Sequence, residues 1–91
     1  MDGEVRNNEA ANQYELEVEG RLALAAYRLQ DGRITFTHTE VPDELEGRGI
    51  GSKLVGAALE DARAQGLKVV PACPFVKRYI EKHPELKDLL A

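Results

Sequence analysis

The sequence predicts an α/β (α+β) domain with a four-stranded, mostly antiparallel sheet and one helical crossover, in the order β-β-β-α-β-α. Three observations indicate this class. Apolar and acidic residues alternate from position 14 to 19, an Asp31-Gly32 pair separates two further apolar stretches, and apolar residues recur at helical spacing from position 50 to 62. The chain of 91 residues, 43% hydrophobic and 31% charged, suits one domain with one modest core.

The first 13 residues differ from the rest in composition. After the initiator they contain Val5 as the one apolar side chain larger than alanine, together with three asparagines. Such a segment buries too little apolar surface to offset the entropy that it loses on ordering. We therefore predict a flexible tail over residues 1–13 and a single domain over residues 14–91.

The first predicted strand is half buried. One face is apolar and carries Tyr14, Leu16 and Val18, and the other carries glutamates at positions 15, 17 and 19. Glu19-Gly20 then turns the chain. We expect the glutamate face to lie away from the core.

Two more strands complete an antiparallel meander. Residues 22–27 are apolar on both faces and predict a strand that is covered on both sides. Asp31-Gly32 is a strong two-residue hairpin signal, and the strand that follows runs from Arg33 to Val41. Pro42 ends it, because proline has no N–H for the ladder.

A long helix and a parallel strand come next. The helix is predicted from Gly49 to Gln65, and Gly66 occupies the position of a left-handed C′ residue. The β-branched stretch from Leu67 to Pro71 is reached through this helix, so it should pair in parallel with the Arg33–Val41 strand. Apolar residues at helical spacing predict a last helix from Phe75 to Lys82, with Pro74 at its first position.

Composition excludes several classes of function. The apolar runs are too short to cross a bilayer and the start of the chain is acidic, so we expect no membrane span, no secretory signal and a cytoplasmic location. The net charge of −4 and the scattered basic residues argue against nucleic acid as a partner. Cys73 is the single cysteine, which excludes an intramolecular disulfide and a cysteine cage for a metal, and we assign no metal ligands.

The candidate ligand-binding motif is Gly47-Arg48-Gly49-Ile50-Gly51, between Val41-Pro42 and the long helix. A helix N-terminus has unpaired N–H groups and a positive dipole end, and glycines let the backbone close on a phosphate. This arrangement predicts a pyrophosphate cradle, and the alternative is an ordinary tight loop that caps the helix. The P-loop spacing is absent, and the dinucleotide fingerprint fails because its third glycine would fall on Ser52.

The same motif resembles the GNAT (general-control-related N-acetyltransferase) superfamily. Its pattern Gln/Arg-x-x-Gly-x-Gly/Ala, between a Val-Pro strand end and a helix, falls here on Glu46-Gly47-Arg48-Gly49-Ile50-Gly51, and the resemblance extends from Tyr14 to the C-terminus. It implies a small stand-alone GNAT-like fold and acetyl-CoA (coenzyme A) as co-substrate. The residues it implies for binding are Val41, Glu46, Gly47, Arg48, Gly49, Ile50, Gly51, Ser52 and Lys53.

Two departures from the family pattern bear on affinity and specificity. Glu46 replaces the usual Gln or Arg and sets a negative charge beside an anionic ligand. The helices that shape the acceptor pocket of larger members are absent, as are the closing strands. We therefore expect an open acceptor site for an unknown amine, on a small molecule or a protein.

Four residues are candidates for catalysis. The resemblance implies direct attack by an amine on the acetyl thioester, with a base removing the proton and Tyr79 protonating the departing thiolate. A tyrosine on an amphipathic helix is also a common core residue. Cys73 lies before a helix N-terminus, where the dipole favours the thiolate, so it is either a nucleophile that accepts the acetyl group or inert packing. His38 and Glu40 share a face with Phe36 by the two-residue period. If their strand neighbours the parallel strand, they place a base near Cys73; otherwise His38 is a half-exposed strand residue.

Three functions remain open at this point. The first is acetyl transfer from acetyl-CoA to an amine. The second is an acyl-CoA-binding or sensing module without turnover, or an acyl carrier in which Cys73 keeps the acetyl group. The third is a protein-interaction domain that retains the fold without the ligand.

Overall fold

The computed structural model describes residues 3–91 and shows an α/β fold built on a mixed sheet with strand order β1-β2-β3-β4-β5. The predicted class is confirmed, but the sheet has five strands rather than four. The strands are β1 (Arg6–Asn8), β2 (Gln13–Val18), β3 (Arg21–Gln30), β4 (Arg33–Glu40) and β5 (Lys68–Pro71). The α-helices are α1 (Ile50–Ala64) and α2 (Pro74–Lys82), and 3₁₀ turns cover Asp43–Leu45 and Pro84–Leu89.

The additional strand, β1, comes from the segment that was predicted to be a flexible tail. It pairs antiparallel with β2, with Asn7 opposite Tyr14. Its polar side chains find partners in the sheet, since the Tyr27 hydroxyl donates to Asn7 Oδ1 at 2.6 Å. Hydrogen bonds therefore replace the apolar burial that the segment lacks. Met1 and Asp2, which begin the predicted tail, lie outside the described residues.

Glu15 also differs from its prediction, because it is only 4% exposed although it lies on the glutamate face of β2. β1 covers it. Arg6 Nη2 lies 2.9 Å from the Glu15 carboxylate, and Asn8 and Gln13 donate to it at 3.0 and 2.6 Å. A buried carboxylate requires such partners.

The two hairpins follow the turn signals. Glu19-Gly20 has φ values of 54° and 76°, and Asp31-Gly32 has the same pair of values. Two consecutive positive φ angles are those of a type I′ turn, whose twist matches that of the flanking strands. The predicted antiparallel meander is confirmed.

The core lies between one face of the sheet and the helices. α1 packs across β2, β3, β4 and β5. Gly66 has φ of 73°, as predicted for its C′ position. β5 pairs in parallel with β4, from Arg33 opposite Lys68 to Phe36 opposite Pro71, which confirms the crossover. The α1 face predicted to be apolar is buried throughout: Ile50, Leu54, Val55, Ala58, Leu59 and Ala62.

A β-bulge in β4 changes which side chains face the helices. Tyr27 lies opposite Phe36, but its neighbour Ala26 lies opposite His38, so Thr37 is the extra residue. Opposite residues in an antiparallel pair share a face, and Tyr27 and Phe36 are both buried against the helices. The prediction that His38 and Glu40 share the face of Phe36 is therefore wrong. Thr39, opposite Ala25, takes the helix-facing position instead.

The strands β4 and β5 separate beyond the bulge. Their ladder ends at Phe36 opposite Pro71, and the Cys73 N–H donates to the Phe36 carbonyl at 2.9 Å, while β4 continues to Glu40. This separation leaves a gap in the sheet beside the start of α2. Among residues 3–91, neither α-helix combines the length and apolar character that crossing a bilayer requires.

Candidate functional site

A cleft of about 390 Å³ opens between the end of β4, the glycine-rich loop and the start of α2. Most of the residues predicted to bind coenzyme A line it. The side-chain nitrogen atoms of the other two, Arg48 and Lys53, contact Glu19 Oε2 at 2.9 Å and the Gly3 carbonyl at 3.3 Å. The lining residues are Thr39, Val41, Leu45, Glu46, Gly47, Gly49, Ile50, Gly51, Ser52 and Phe75.

The N-terminus of α1 forms one wall of the cleft. Gly49 is its N-cap, with φ of 74°, and within residues 3–91 no side chain caps this end. The first helical hydrogen bond runs from the Lys53 N–H to the Gly49 carbonyl at 3.0 Å. The N–H groups of residues 50–52 therefore have no acceptor within the helix. The first turn also holds no acidic residue. An anion would therefore meet backbone donors and the positive end of the dipole.

Gly51 makes room for an aromatic ring in the first turn of α1. A Cβ at this position would lie 2.7 Å from Cζ of Phe75 and 3.4 Å from Cγ2 of Val41. The absence of a side chain lets the Phe75 ring, which is 38% exposed, lie against the first turn of α1. Phe75 thus forms part of the cleft wall beside the first turn of α1.

Cys73 lies next to the cleft at the N-cap of α2, as predicted, and is 5% exposed. Its Sγ and the Thr39 Oγ1 share a hydrogen bond of 3.3 Å. Burial raises the pKa of the thiol, but hydrogen bonds from Thr39 and from the N–H groups of Val76 and Phe75 outweigh burial, so that the pKa lies below its ordinary value. These contacts favour the thiolate.

Thr39 was not identified from the sequence. The two-residue period pointed to His38 and Glu40, and only the bulge turns Thr39 toward Cys73. A threonine beside a valine-proline strand end is too common to single out. Only the strand register and the contact with Cys73, both features of the folded structure, identify Thr39.

His38 and Glu40 form a pair on the other face of the sheet. His38 Nε2 and Glu40 Oε2 lie 2.6 Å apart, and both side chains are exposed. The pair lies on the stretch of β4 that has no partner in β5. The carboxylate can therefore orient the imidazole at the edge of the gap.

Tyr79 lies in a groove beside the cleft and is absent from the cleft wall. Its hydroxyl lies against α1 at Gly56, where a Cβ would be 2.6 Å from the hydroxyl oxygen. Its ring stacks on His83 at a centroid distance of 4.1 Å. Burial raises its pKa, and the nearby carboxylates of Glu85 and Glu60 raise it further. The hydroxyl therefore stays protonated near neutral pH. His83 is the C-cap residue of α2.

Comparison with known proteins identifies the family of this domain. The family model described as GCN5-related N-acetyl-transferase matches residues 13–89, which is most of the chain. The chain belongs to this family. The predicted GNAT resemblance is thus confirmed.

Related proteins agree with this assignment. The solution NMR structure of a GCN5-like protein from Staphylococcus aureus is 36% identical, with a TM-score of 0.74, over 97% of this chain and 87% of that one. The NATD1 proteins of chicken and mouse are 37% identical over 51 residues, or 56% of this chain and 46% of theirs. The chain thus spans about half the length of the curated relatives that it matches.

In this GCN5-related N-acetyltransferase domain, the structure brings the glycine loop, the end of β4, Thr39 and Cys73 together around one cleft. It separates them from the His38–Glu40 pair, which lies on the opposite face, and from Tyr79, which lies in the adjoining groove. The residues fit a bound pyrophosphate, because the N-terminus of α1 has no side-chain cap and its first residues line the cleft. Gly47 and Gly49 both have positive φ, at 82° and 74°.

Proposed function

We propose that this domain binds acetyl-CoA in the cleft and transfers the acetyl group to an amine. The observation that carries the proposal is the uncapped N-terminus of α1, which opens into a cleft beside a thiol of lowered pKa. Membership of the GCN5-related N-acetyltransferase family supports the general reaction. The acceptor is a primary amine of unknown origin.

The binding half of the proposal rests on the glycine loop. Backbone N–H groups of Ile50, Gly51 and Ser52 hold the pyrophosphate, as helix N-termini do elsewhere. Val41 and Phe75 enclose the ligand from two sides, and Glu46 at the rim opposes it by charge. The pantetheine arm then extends toward Thr39 and Cys73.

The chemical half uses the gap between β4 and β5. The Cys73 thiolate attacks the thioester carbonyl, so that a C–S bond to Cys73 forms, the C–S bond to coenzyme A breaks, and the coenzyme A thiolate leaves and takes up a proton from water. The amine enters from the open face of the sheet, and its nitrogen attacks the acetyl carbonyl on Cys73. His38 lies on the opposite face of β4 from Thr39, at the edge of this gap, and from there takes the proton of the entering amine; Glu40 balances the charge on the imidazole, and Cys73 is released.

Intact-mass analysis tests this sequence of steps. After incubation with acetyl-CoA we expect one hydroxylamine-labile acetyl group, which disappears when a primary amine such as a lysine peptide or a polyamine is added. The Cys73→Ala variant should take up no label, and His38→Gln should slow the discharge. Lys77→Gln, on the exposed side of α2, is the matched control.

The same experiment separates the alternatives. Acetyl transfer by Cys73→Ala at the wild-type rate would show direct attack by the amine on acetyl-CoA and leave Cys73 as packing. Failure of every protein to acetylate anything, with binding intact, would contradict the transferase and leave an acyl-CoA-binding module.

A second candidate function is an acyl carrier that stops at S-acetyl-Cys73. The hydrogen bonds that lower the pKa of Cys73 favour it, because they activate the thiol whether or not an amine follows. A label that persists with every amine tested would support the carrier.

The binding step has its own test. Coenzyme A should shift the backbone amide signals of residues 47–53 and of Val41 more than those of the β2–β3 hairpin. Unchanged amide chemical shifts of residues 47–53, with shifts changing elsewhere in the protein, would overturn the proposed site.

A further inference from the structure

A second groove adjoins the cleft between the first turn of α1 and α2. It has a volume of about 180 Å³ and shares Ser52 and Phe75 with the cleft, so the two spaces meet at the Phe75 ring. Nothing in the proposed transfer uses it. Its lining residues are Ser52, Phe75, Arg78, Tyr79, Lys82 and His83.

The charge of the groove differs from that of the cleft. Arg78 and Lys82 are four residues apart on α2 and both are exposed. None of the ion pairs found among residues 3–91 uses either side chain. Glu46, by contrast, is the one charged residue that lines the cleft within the described chain. In a protein of net charge −4, the groove is where an anionic group leaving the cleft would meet cations.

The two ends of the groove are unequal. Burial raises the pKa of Tyr79 most, and the negative charges of Glu85 and Glu60 raise it further. The Tyr79 end of the groove is therefore close to negative charge. Arg78 is three residues beyond Phe75, a rise of about 4.5 Å along the helix, and is therefore the cation nearest the entrance from the cleft. A phosphate would be placed at the Arg78 end.

We infer that this groove binds the ribose 3′-phosphate of coenzyme A, through Arg78 with support from Lys82. The inference rests on the proposed function. Coenzyme A carries pantetheine on one side of its pyrophosphate and the 3′-phosphorylated adenosine on the other. With the pyrophosphate on α1 and the pantetheine directed toward Thr39, the nucleotide leaves past Ser52 and Phe75 into the groove.

The chemistry of the two partners matches. A phosphate monoester carries a charge of about −1.5 to −2 near neutral pH, and an arginine fork binds two of its oxygens at once. Lysine adds a point charge without fixed geometry. The groove therefore distinguishes coenzyme A from its analogue that lacks the 3′-phosphate.

Calorimetric titration with coenzyme A and with 3′-dephospho-coenzyme A tests the inference. The wild type should bind coenzyme A about tenfold more tightly, and the Arg78→Gln/Lys82→Gln double variant should bind the two ligands about equally. This loss should come from weaker binding of coenzyme A, with the affinity for the dephospho form unchanged. Lys77→Gln, which removes a charge of the same sign from α2 outside the groove, should keep the tenfold preference.

Each contrary result has a distinct meaning. Equal affinity of the wild type for both ligands, or equal losses for both in the double variant, would overturn the groove as the 3′-phosphate site and leave the proposed function standing. If neither ligand binds, the proposed function fails and the inference fails with it.

Discussion

The hydrogen bond between Thr39 and Cys73 joins the end of β4 to the N-cap of α2. It is one of the contacts that lower the pKa of the thiol against the effect of burial. At the scale of single residues, these contacts decide how much thiolate is present near neutral pH.

Replacing Thr39 by Val removes the hydroxyl at nearly constant shape. The pKa of Cys73 should rise, so less thiolate is present at pH 7 and alkylation by iodoacetamide should slow several-fold. Thr39→Ser should restore both. Thiolate absorbance followed against pH gives the pKa directly, and an unchanged titration in the valine variant would remove Thr39 from the chemistry.

Glu46 is the clearest departure from the family pattern, and it lies on the cleft wall. A carboxylate about 6 Å from a pyrophosphate costs about 3 kcal/mol at an effective dielectric near 20, and under about 1 kcal/mol in bulk water. Because Glu46 is exposed, the cost should be near the lower value. Glu46→Gln should then tighten coenzyme A binding several-fold at low salt, and raised ionic strength should shrink the gain.

Calorimetry at two salt concentrations measures this effect. Glu44→Gln removes the same charge from the preceding turn, outside the cleft, and is the control for net charge. Weaker binding by Glu46→Gln at every salt concentration would contradict repulsion and indicate that Glu46 holds the loop in shape.

At the scale of elements, the packing of α2 on α1 depends on two glycines of α1. Gly51 makes room for the Phe75 ring and Gly56 makes room for the Tyr79 hydroxyl. Glycine inside a helix usually costs stability relative to alanine, about 0.5–1 kcal/mol. Here the close approach of the two helices offsets that cost.

Gly56→Ala should therefore destabilise the fold by about 1–3 kcal/mol, because its Cβ would lie 2.6 Å from the Tyr79 hydroxyl oxygen. In a Tyr79→Phe background the nearest contact becomes the ring carbon at 3.4 Å, and the same change should stabilise by about 0.5–1 kcal/mol. Urea unfolding of the four proteins measures the sign in each background. Stabilisation in both backgrounds would show that Tyr79 moves aside at no cost.

At the scale of the whole molecule, β1 extends the sheet through polar contacts that converge on Glu15. Hydrogen bonds from Gln13 and Asn8 lower the pKa of this carboxyl, burial opposes them, and Arg6 adds to the lowering. A carboxyl whose pKa is lower in the folded state stabilises the fold above its unfolded pKa of about 4.3, and this contribution is lost as the pH falls through the folded value.

Glu15→Gln should accordingly lower the free energy of unfolding at pH 7 and reduce its decline between pH 5 and acid. Glu17→Gln, an exposed change on the same strand face, should have little effect on either. Urea unfolding at several pH values makes the comparison. Parallel pH profiles for wild type and Glu15→Gln would show that Glu15 contributes nothing to the acid sensitivity.

The sequence by itself determined the kinds of elements and most of their order. Hairpin turns, the amphipathic face of α1 and the glycine loop before it are local patterns, because side-chain periods and positive φ angles depend on near neighbours along the chain. The parallel pairing of β5 follows equally from the length and hand of the crossover. The cleft and most of its lining were therefore predictable.

Tertiary structure alone decided the rest. β1 forms because Glu15 on β2 and Tyr27 on β3 satisfy its polar side chains. The bulge in β4 depends on the register with β3, and it reverses the faces of His38 and Thr39. The two-residue period of a strand does not show where a bulge inserts an extra residue. The sequence of a polar segment does not show which residues will accept or donate its hydrogen bonds. Contacts between strands set both, and a contact between residues 34 positions apart in the chain brings Thr39 rather than His38 to Cys73.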